Sequence, residues 1–434
     1  MEKSYFKAGV HLIETLTAGM YNDPLSIFRE YIQNSVDSID KARTLVKKKN
    51  MQVKIDIDPF SRKITIIDNG YGICQDEAPS VLGSIGSSTK FKSNYRGFRG
   101  IGRLGGLAFC ENAIFCTKAA GEKVETVQTW DAAKLRQIIN DVSSDQLSME
   151  DVYRETTSIK QYKTGQQSHS YFKVTLEGVS SFRNYLFDLK RVESYLKQTI
   201  PIDFDDRFSY KTEISTFLHD MIPDYNHYNI SLNGEKIVKP YTDLIPTVRE
   251  TRDFLEGVKT FVIQHGNTRI AAGWYGLRHY GIGAIPKGQL MSGLRVRAGN
   301  ILVGSPHLLD ECFRENRFNG YIIGEIYTID KFLIPNSRRD DFIDNAYKAA
   351  FFQEVEKTIG LPLSRDIRKK SRMNSVLSPT PEMDGKPKLD KVNGRRGRNL
   401  EGDIQRILRK TEMYPELTHM ITEFVARIRS DYYR

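Results

Sequence analysis

The sequence is poor in cysteine and contains no long apolar segment. Its 434 residues include only Cys74, Cys110, Cys116 and Cys312, and no two of these form a CxxC pair. This usage argues against a disulfide framework and against a zinc site, and it is typical of reduced thiols in a cytosolic protein. No apolar run approaches the roughly 18 residues that a membrane span needs, and the mean hydropathy is −0.46. We therefore expect no membrane association.

Targeting and phosphate-loop signals are also missing. The opening residues, MEKSYFKAGVHL, have neither a long apolar core nor a small-residue cleavage site, so we expect a cytoplasmic protein without a secretory signal. No Walker A string occurs, which argues against a P-loop ATPase. What is present is a basic balance of 64 Lys and Arg against 54 Asp and Glu, a net charge of +10. That charge is compatible with an anionic partner but does not by itself indicate nucleic acid.

The pattern of apolar residues predicts a mixed α+β chain. A helix with an apolar stripe follows the start signal Asn22-Asp23-Pro24. Alternating apolar residues in QVKIDID and KITIID predict two strands after it. The stretch from Gly70 to Gly106 is rich in Gly and Ser and resembles a ligand loop. Residues 131–168 are predicted to be a polar helical insertion.

Shifts in composition divide the chain into four parts. A β-rich second unit begins near the hairpin signal Asn233-Gly234. After it, the sequence from Leu363 to Arg398 is basic and has no periodic apolar pattern, which predicts a flexible linker. The predicted parts are an N-terminal domain over 1–225, a second domain over 226–362, the linker over 363–398 and a C-terminal helix over 399–434.

The first chemical motif lies in REYIQNSVDSID. Glu30, Asn34 and Asp37 have i, i+4 and i+7 spacing, which places them on one helix face. Such a face offers a carboxylate that can act as a base and an amide oxygen that can hold a hard cation such as Mg²⁺. Taken alone, a solvated polar stripe explains the spacing equally simply.

The second motif follows the KITIID strand. Asp68 at the strand end can accept a hydrogen bond from the edge of a base, and Gly70 and Gly72 let backbone approach a ligand. An ordinary Asx-Gly turn is the alternative explanation.

The third motif is a glycine-rich string that leads into the helix-like run GRLGGLAF. Gly97, Gly100 and Gly102 have GxxGxG spacing, and backbone N–H groups at such a helix start suit phosphate oxygens. The preceding segment adds four further donors, namely Ser87, Ser88, Thr89 and Lys90.

In this order and spacing the three motifs resemble the nucleotide site of the GHKL superfamily, also called the Bergerat fold, which includes DNA gyrase, heat shock protein 90, histidine kinases and MutL. REYIQNSVDSI is similar to the family's N-box, IIDNGYGI to its DxGxG box, and YRGFRGIG to its glycine box. The resemblance implies an N-terminal α/β sandwich that binds ATP with Mg²⁺.

The resemblance also implies roles for individual residues. Glu30 would be the general base, Asn34 the Mg²⁺ ligand and Asp68 the group that binds the adenine amino group, while Gly72 would lie beside the base. Segment 83–98 would be the ATP lid. The glycine-rich run that starts at Gly97 continues through Gly105 and Gly106, so it stays open which glycines contact which phosphates. The other implied nucleotide-binding residues are Asp37, Gly70, Ser87, Ser88, Thr89, Lys90, Gly97, Gly100, Ile101, Gly102 and Thr175.

The second unit resembles the middle, or transducer, domain of heat shock protein 90-like ATPases, which is ribosomal-protein-S5-like. The resemblance rests on the segments LRVRAGNILVG and GEIYTIDKFLIPNSRRDDF. It implies that Arg339 reaches the γ-phosphate, with Arg338 one residue off and Lys287 as further candidates. The alternative is that Arg338 and Arg339 pair on the surface with Asp340 and Asp341.

The resemblance implies a Mg²⁺-dependent, ATP-hydrolysing clamp that closes its lid and forms a homodimer when ATP binds. Its client would be a protein. One alternative is a DNA-associated ATPase of MORC or MutL type, favoured by the net charge and the basic linker. Another is a nucleotide-gated interaction module in a bacterial defence or signalling system, in which slow hydrolysis resets a switch.

Overall fold

The structure is a computed structural model of the chain. It describes residues 12, 15, 23–86, 101–141, 147–165, 167–223, 225–247, 252–281, 283–286 and 288–377. Residues Met1–Val376 form one compact unit and Leu377–Arg434 a second. The predicted C-terminal helix over 399–434 lies outside the described residues. A mixed α+β architecture is confirmed.

The first part of the chain builds an α/β layer pair. The helices are α1 (Ser26–Val46), α2 (Ala78–Gly83), α3 (Ala132–Asn140), α4 (Met149–Thr156), α5 (Arg183–Leu186), α6 (Leu189–Thr199) and α7 (Lys211–Met221), with a 3₁₀ helix at Gly102–Ala108. The strands are β1 (Gln52–Asp58), β2 (Lys63–Asp68), β3 (Asn112–Lys118), β4 (Val124–Asp131), β5 (Thr157–Lys163), β6 (Tyr171–Glu177), β7 (Asn229–Leu232) and β8 (Glu235–Lys236).

In the described residues these eight strands form one sheet in the order β5-β4-β3-β6-β2-β1-β7-β8. All neighbouring strands are antiparallel except β1 and β7, which are parallel. Alternate residues of β1 and β2 face the helices, and they share one hydrophobic core with α1 and α6. The sheet therefore supports α1 along its apolar side.

The helix α1 forms because its apolar residues recur every three or four positions over 21 residues without Gly or Pro. It begins at Ser26 rather than at Pro24, because Asp23 Oδ1 accepts from Leu25 N–H at 2.9 Å and fixes a turn before the helix. Its fully buried apolar side comprises Ile27, Phe28, Tyr31, Ile32, Val36 and Ile39.

The chain passes from the first sheet to the second after the predicted domain boundary at residue 226. Strand β7 pairs with β1, from Gln52 opposite Asn229 to Ile55 opposite Leu232. Its Ile230 side chain lies in the first core. The hairpin that we assigned to the second unit thus extends the first sheet, because its apolar side completes that core.

The second part of the chain forms a six-stranded sheet in the order β13-β12-β14-β11-β10-β9. Its core is closed by helix α8 and the segment after it. The strands are β9 (Leu244–Pro246), β10 (Arg252–His265), β11 (Thr268–Arg278), β12 (Gly293–Ala298), β13 (Ile301–Val303) and β14 (Ile323–Thr328). The helices are α8 (Ala346–Val355) and α9 (Leu361–Leu377), with 3₁₀ turns at Asp310–Cys312 and Asn316–Tyr321 and a π turn at Glu356–Gly360.

Two segments differ from the sequence-based prediction. The expected linker begins as helix α9, since residues 363–377 contain no Gly or Pro, and Leu363 and Ile367 pack on the second core at i, i+4 spacing. The expected polar insertion at 131–168 contains α3 and α4, but it ends in strand β5, which pairs with β4. An edge strand that is mostly exposed has no apolar alternation for sequence reasoning to find.

Within the described ranges, no helix has both the length and the apolar character needed to cross a bilayer.

Candidate nucleotide-binding site

Helix α1 presents the three residues of the first motif over two turns. The Glu30 side chain is 13% exposed, Asn34 is half-buried and Asp37 is buried. A solvated polar stripe would expose these side chains to water, and the structure does not. The face of α1 that carries them is covered by other parts of the fold.

The end of strand β2 is tied to the same helix through Ser38. Ser38 Oγ donates to Asp68 Oδ1 at 3.1 Å, and it accepts from Tyr71 N–H at 3.0 Å. The N–H of Gly70 donates to the same carboxylate oxygen at 2.8 Å. The first two motifs are therefore joined by direct hydrogen bonds.

Asp68 is buried, and within the described residues it forms no ion pair, although it interacts electrostatically with Lys48. Its residue exposure is 1%, and its second oxygen, Oδ2, is buried with no hydrogen-bond partner among the described residues. Burial raises the pKa of Asp68 to about 7, although hydrogen bonds from Gly70, Ser35, Ser38 and Phe172 act in the opposite direction. A buried polar atom without a partner is costly and rare in folded proteins.

The unpartnered oxygen is the observation that tests whether a purine fits. An adenine base carries an amino group that donates hydrogen bonds, and a carboxylate oxygen only accepts them. Asp68 Oδ2 therefore supplies the acceptor that such a base needs. The acceptor at Asp68 is chemically compatible with the amino group of an adenine base.

The two glycines of the second motif lie in close contact with neighbouring elements. A side chain on Gly70 would collide with Ser38 of α1, and a side chain on Gly72 would collide with the Lys118 carbonyl of β3. Gly72 also has φ +73°, which favours glycine. Both glycines let the loop pack tightly on the protein, which holds Asp68 in place.

The glycine string reaches the helix through Gly102. A side chain on Gly102 would overlap the Glu30 carboxylate, and one on Gly106 would overlap the Tyr31 hydroxyl. Tyr31 Oη donates to the Arg103 carbonyl at 3.1 Å and accepts from Gly106 N–H at 3.1 Å. Gly102 of the third motif thus lies against the first motif. Ile101 directly precedes the 3₁₀ helix. Outside the described residues lie Ser87, Ser88, Thr89, Lys90, Gly97 and Gly100.

The structure does not bring Thr175 to this site. Asp68 pairs with Phe172 of β6, and Thr175 pairs with Thr65 without a bulge between the two positions. Opposite residues share a face and successive residues alternate. Thr175 therefore lies on the face of the sheet opposite to Asp68. The sequence predicts Thr175 near adenine. Thr175 is an odd number of positions from Phe172, the residue opposite Asp68, so its side chain cannot lie beside Asp68.

The turn 336–341 after β14 lies against α1. Arg29 Nη2 donates to the Arg338 carbonyl at 3.0 Å, and the same guanidinium pairs with Glu30 Oε1 at 3.1 Å. One buried arginine therefore connects the turn with the predicted base.

The two arginines of that turn differ in environment. Arg339 is buried and Arg338 is exposed. Arg339 has φ +56°, and its backbone is held on both sides, by Asn336 O at 3.2 Å and by Gly304 N–H at 2.8 Å. Such a constrained conformation is often found at functional positions. Lys287, the other candidate, lies outside the described residues.

The alternative explanation is that Arg338 and Arg339 pair with Asp340 and Asp341 at the surface. Asp340 Oδ1 accepts from Asn336 at 2.6 Å, and Asp341 Oδ2 pairs with Lys348 at 2.6 Å. Both carboxylates thus bind groups other than the two arginines in these contacts.

Sequence reasoning missed three residues that build the site. Ser38 joins α1 to Asp68, Arg29 joins Glu30 to the turn, and Arg103 donates to the Val81 carbonyl at 2.8 Å and the Leu82 carbonyl at 2.9 Å. Arg103 thereby connects the 3₁₀ helix with helix α2. Ser38 lies one residue from Asp37 in the same motif, so its proximity was a usable signal, whereas nothing local marks the other two.

Among the described residues, no three His, Cys, Asp or Glu side chains group together as a metal site. Mg²⁺ commonly needs only one or two protein oxygens when phosphates supply the rest. Asn34, half-buried one turn after Glu30, is such an oxygen donor.

Comparison with known proteins agrees with this geometry. Residues 24–165 match the family described as "Histidine kinase-, DNA gyrase B-, and HSP90-like ATPase". Relatives include "Chaperone protein HtpG" from Escherichia coli O1:K1 / APEC and from Escherichia coli strain K12. Each is 28% identical over 142 residues, which covers 28% of this chain and 23% of the relative.

These findings define a nucleotide-binding ATPase domain of the GHKL class. The predicted assignment to the GHKL, heat shock protein 90-like ATPases is confirmed by this match, which covers residues 24–165. The match spans less than a quarter of the length of the chaperone relatives.

Proposed function

We propose that the chain binds ATP with Mg²⁺ and hydrolyses it slowly, as a molecular clamp of heat shock protein 90-like type. The observation that carries the proposal is the junction at α1. Glu30 lies against Gly102, and two turns further on Ser38 holds Asp68 with a buried acceptor oxygen. One helix thus presents a carboxylate at the glycine string and supports a second one at a base-binding position.

Asp68 and Glu30 have separate tasks in this proposal. Asp68 accepts a hydrogen bond from the adenine amino group and orients the nucleotide. Glu30 accepts a proton from a water that attacks the γ-phosphate, which is the role of a general base. Its carboxylate is held by Arg29 at 3.1 Å, so the base has a fixed direction.

Asn34 is the residue that would hold Mg²⁺, together with phosphate oxygens. The ion would neutralise charge on the phosphates. Gly102, at the start of the 3₁₀ helix, lies against the Glu30 carboxylate, and backbone N–H groups at such a helix start suit phosphate oxygens.

The turn 336–341 supplies a cation from the second part of the chain. A guanidinium that reaches the transferred phosphoryl group stabilises the charge that develops there. Arg339 is the first candidate because its backbone is fixed, and Arg338 is the second. The contact between Arg29 and the Arg338 carbonyl supports this position for the turn.

The clamp itself is the finer part of the proposal. Segment 83–98 would close as a lid, the second sheet with its helix would act as a transducer domain, and two copies of the chain would associate when ATP is bound. A protein client is the partner that the chaperone relatives suggest. Coupling requires that ATP binds the closed state more tightly than the open state.

The test is ATP turnover and ATP binding by the full chain and two matched variants. Glu30→Gln should lower kcat by about 100-fold or more while it retains nucleotide binding, since a general base typically contributes about 10²–10⁴-fold. Glu150→Gln removes a carboxylate from the exposed helix α4 and should match the wild type. Mass in solution, followed with and without ATP, reports the dimer.

Alanine at each of the two arginines completes the experiment. The residue that reaches the γ-phosphate should lower kcat more than it weakens binding, and we expect this of Arg339→Ala. Wild-type turnover in Glu30→Gln would remove Glu30 from the role of base. A turnover loss confined to Arg338→Ala would move the catalytic assignment by one residue.

A further inference from the structure

Helix α9 carries a stripe of positive charge. Between Leu361 and Leu377 it has five basic residues and one acidic residue. Four of the five recur at i, i+3, i+4 and i+7 and so share one face of the helix. All four are exposed, and together they line one shallow depression of the surface. We call this set the basic stripe: Arg365, Arg368, Lys369 and Arg372.

The other sides of α9 are used by contacts within the fold. Leu363 and Ile367 pack on the second core. Ser364 Oγ donates to the Gly360 carbonyl at 2.6 Å, and Lys370 Nζ donates to the Arg278 carbonyl at 2.9 Å. Over residues 361–372, whose side chains the structure describes, the apolar side of the helix is therefore occupied. A basic helix that binds a lipid surface needs a free apolar face, which these contacts take away.

The turn next to α9 adds to the charge of the basic stripe. Glu315 accepts from Arg368 at 3.0 Å and pairs with Arg317 at 2.7 Å, so one carboxylate is shared by two guanidinium groups. Arg314 is exposed, and its backbone N–H donates to Ser364 of α9 at 3.2 Å. Glu315 thus orients the guanidinium groups of Arg317 and Arg368, but its single negative charge does not neutralise both.

We propose that the basic stripe binds the phosphate backbone of a nucleic acid. From Arg365 to Arg372 the helix rises about 10 Å, which is the length of about three successive phosphates along one strand of a duplex. Three of its four residues are arginine, whose planar guanidinium binds phosphate oxygens in a forked geometry. This site lies outside the ATP-binding motifs, and the proposal does not depend on ATP hydrolysis.

The experiment measures binding of the full chain, without nucleotide, to a fluorescein-labelled duplex of about 20 base pairs at salt concentrations from about 50 to about 200 mM. The charge-reversal variant is Arg365→Glu with Lys369→Glu. The matched control is Lys160→Glu with Lys163→Glu, which makes the same change in net charge at two exposed positions of strand β5.

The variant of the basic stripe should bind the duplex at least about tenfold more weakly at low salt, and the slope of log K against log salt should fall by about 2, because two phosphate contacts are lost. The control should change affinity by less than about twofold. Equal affinity for the two variants would overturn the proposal. So would binding that survives in the variant of the basic stripe and vanishes in Arg395→Ala/Arg396→Ala/Arg398→Ala.

Two further arms separate other anionic partners from nucleic acid. Binding to vesicles of anionic lipid in place of the duplex would contradict the proposal, as would the absence of any salt-dependent duplex binding by the wild type. A single-stranded oligonucleotide of equal length shows whether the phosphate spacing of a duplex matters. Equal loss of both forms in the variant of the basic stripe would support a backbone contact that does not depend on base pairing.

Discussion

Two fully buried carboxylates, one in each sheet, have opposite surroundings. Asp68, at the end of β2, has one oxygen without a hydrogen-bond partner and no ion pair among the described residues, and burial raises its pKa to about 7. Glu325 of β14 has a side chain with no exposed area. Both of its oxygens are paired, Oε1 with Arg297 at 2.5 Å and Oε2 with Lys239 at 2.6 Å.

The surroundings of Glu325 form a closed network. Tyr327 Oη donates to Glu325 Oε2 at 2.5 Å, and Arg297 Nη2 donates to the Gln198 carbonyl of α6 at 2.8 Å. Burial opposes the ionised form of Glu325, but attraction to Arg297 and Lys239 outweighs it and lowers the pKa to about 2. This cluster links the second sheet to α6 and has no acceptor left for a ligand.

The difference separates a binding group from a structural one. A buried carboxylate whose partners are all internal contributes specificity and order to the fold. A buried carboxylate with an unused acceptor costs stability until a ligand fills it. Asp68 thus has the property expected of a binding group, and Glu325 has the property expected of a fixed internal contact.

The largest expected effect is on stability at Glu325. Glu325→Gln leaves Lys239 and Arg297 buried without a countercharge, so the free energy of unfolding should fall by about 3–5 kcal/mol. Chemical denaturation followed by circular dichroism measures it. Glu177→Gln, which removes a carboxylate that pairs at the surface with Lys63, is the control and should change stability by less than about 1 kcal/mol. Similar values for the two variants would mean that the network is not structural.

The next effect is on stability at Asp68, and it has the opposite sign. The folded-state pKa is raised, so the stabilising contribution is fully present below the unfolded pKa and is lost as the pH rises towards about 7. Asp68→Asn removes this titration. The variant should therefore gain stability relative to the wild type between about pH 4 and pH 7, on the order of 1–3 kcal/mol. A difference that does not change with pH would contradict the raised pKa.

The smallest of the three effects is on nucleotide affinity. The ionised form of Asp68 is the better acceptor for an amino group, so affinity should rise as the pH increases through the pKa of about 7. Between about pH 6 and pH 8 the ionised fraction rises about tenfold, which sets the limit of the change. Calorimetry with Mg²⁺ and ADP measures it, and Glu30→Gln should retain the trend. A flat profile would show that Asp68 does not meet the base.

The sequence predicted local placement within each motif. Helical spacing predicted that Glu30, Asn34 and Asp37 lie on one helix, and the strand pattern predicted Asp68 at the end of β2. Thr175 failed because the face of a strand residue depends on pairing register, and a shift by one residue reverses it. The register of β6 against β2 is set by contacts along the whole sheet.

Contacts over long sequence distances were also beyond prediction. Arg29 meets the Arg338 carbonyl across 309 positions, and no local pattern marks that pair. The strand β7 joins the first sheet because its apolar side fills a gap beside β1, which depends on the shape of the first core. The predicted linker fails over helix α9. High charge is typical of linkers, but the apolar residues Leu363 and Ile367 have helical spacing.

The most direct test of the central claim is the binding of Mg²⁺-ADP to the wild type and to Asp68→Asn by calorimetry, with thermal unfolding to show that both are folded. The account predicts that the wild type binds and that the variant loses at least about tenfold to hundredfold in affinity, since a hydrogen bond to a charged group contributes about 1.5–3 kcal/mol. Equal affinity in the folded variant would show that Asp68 is not the group that holds adenine.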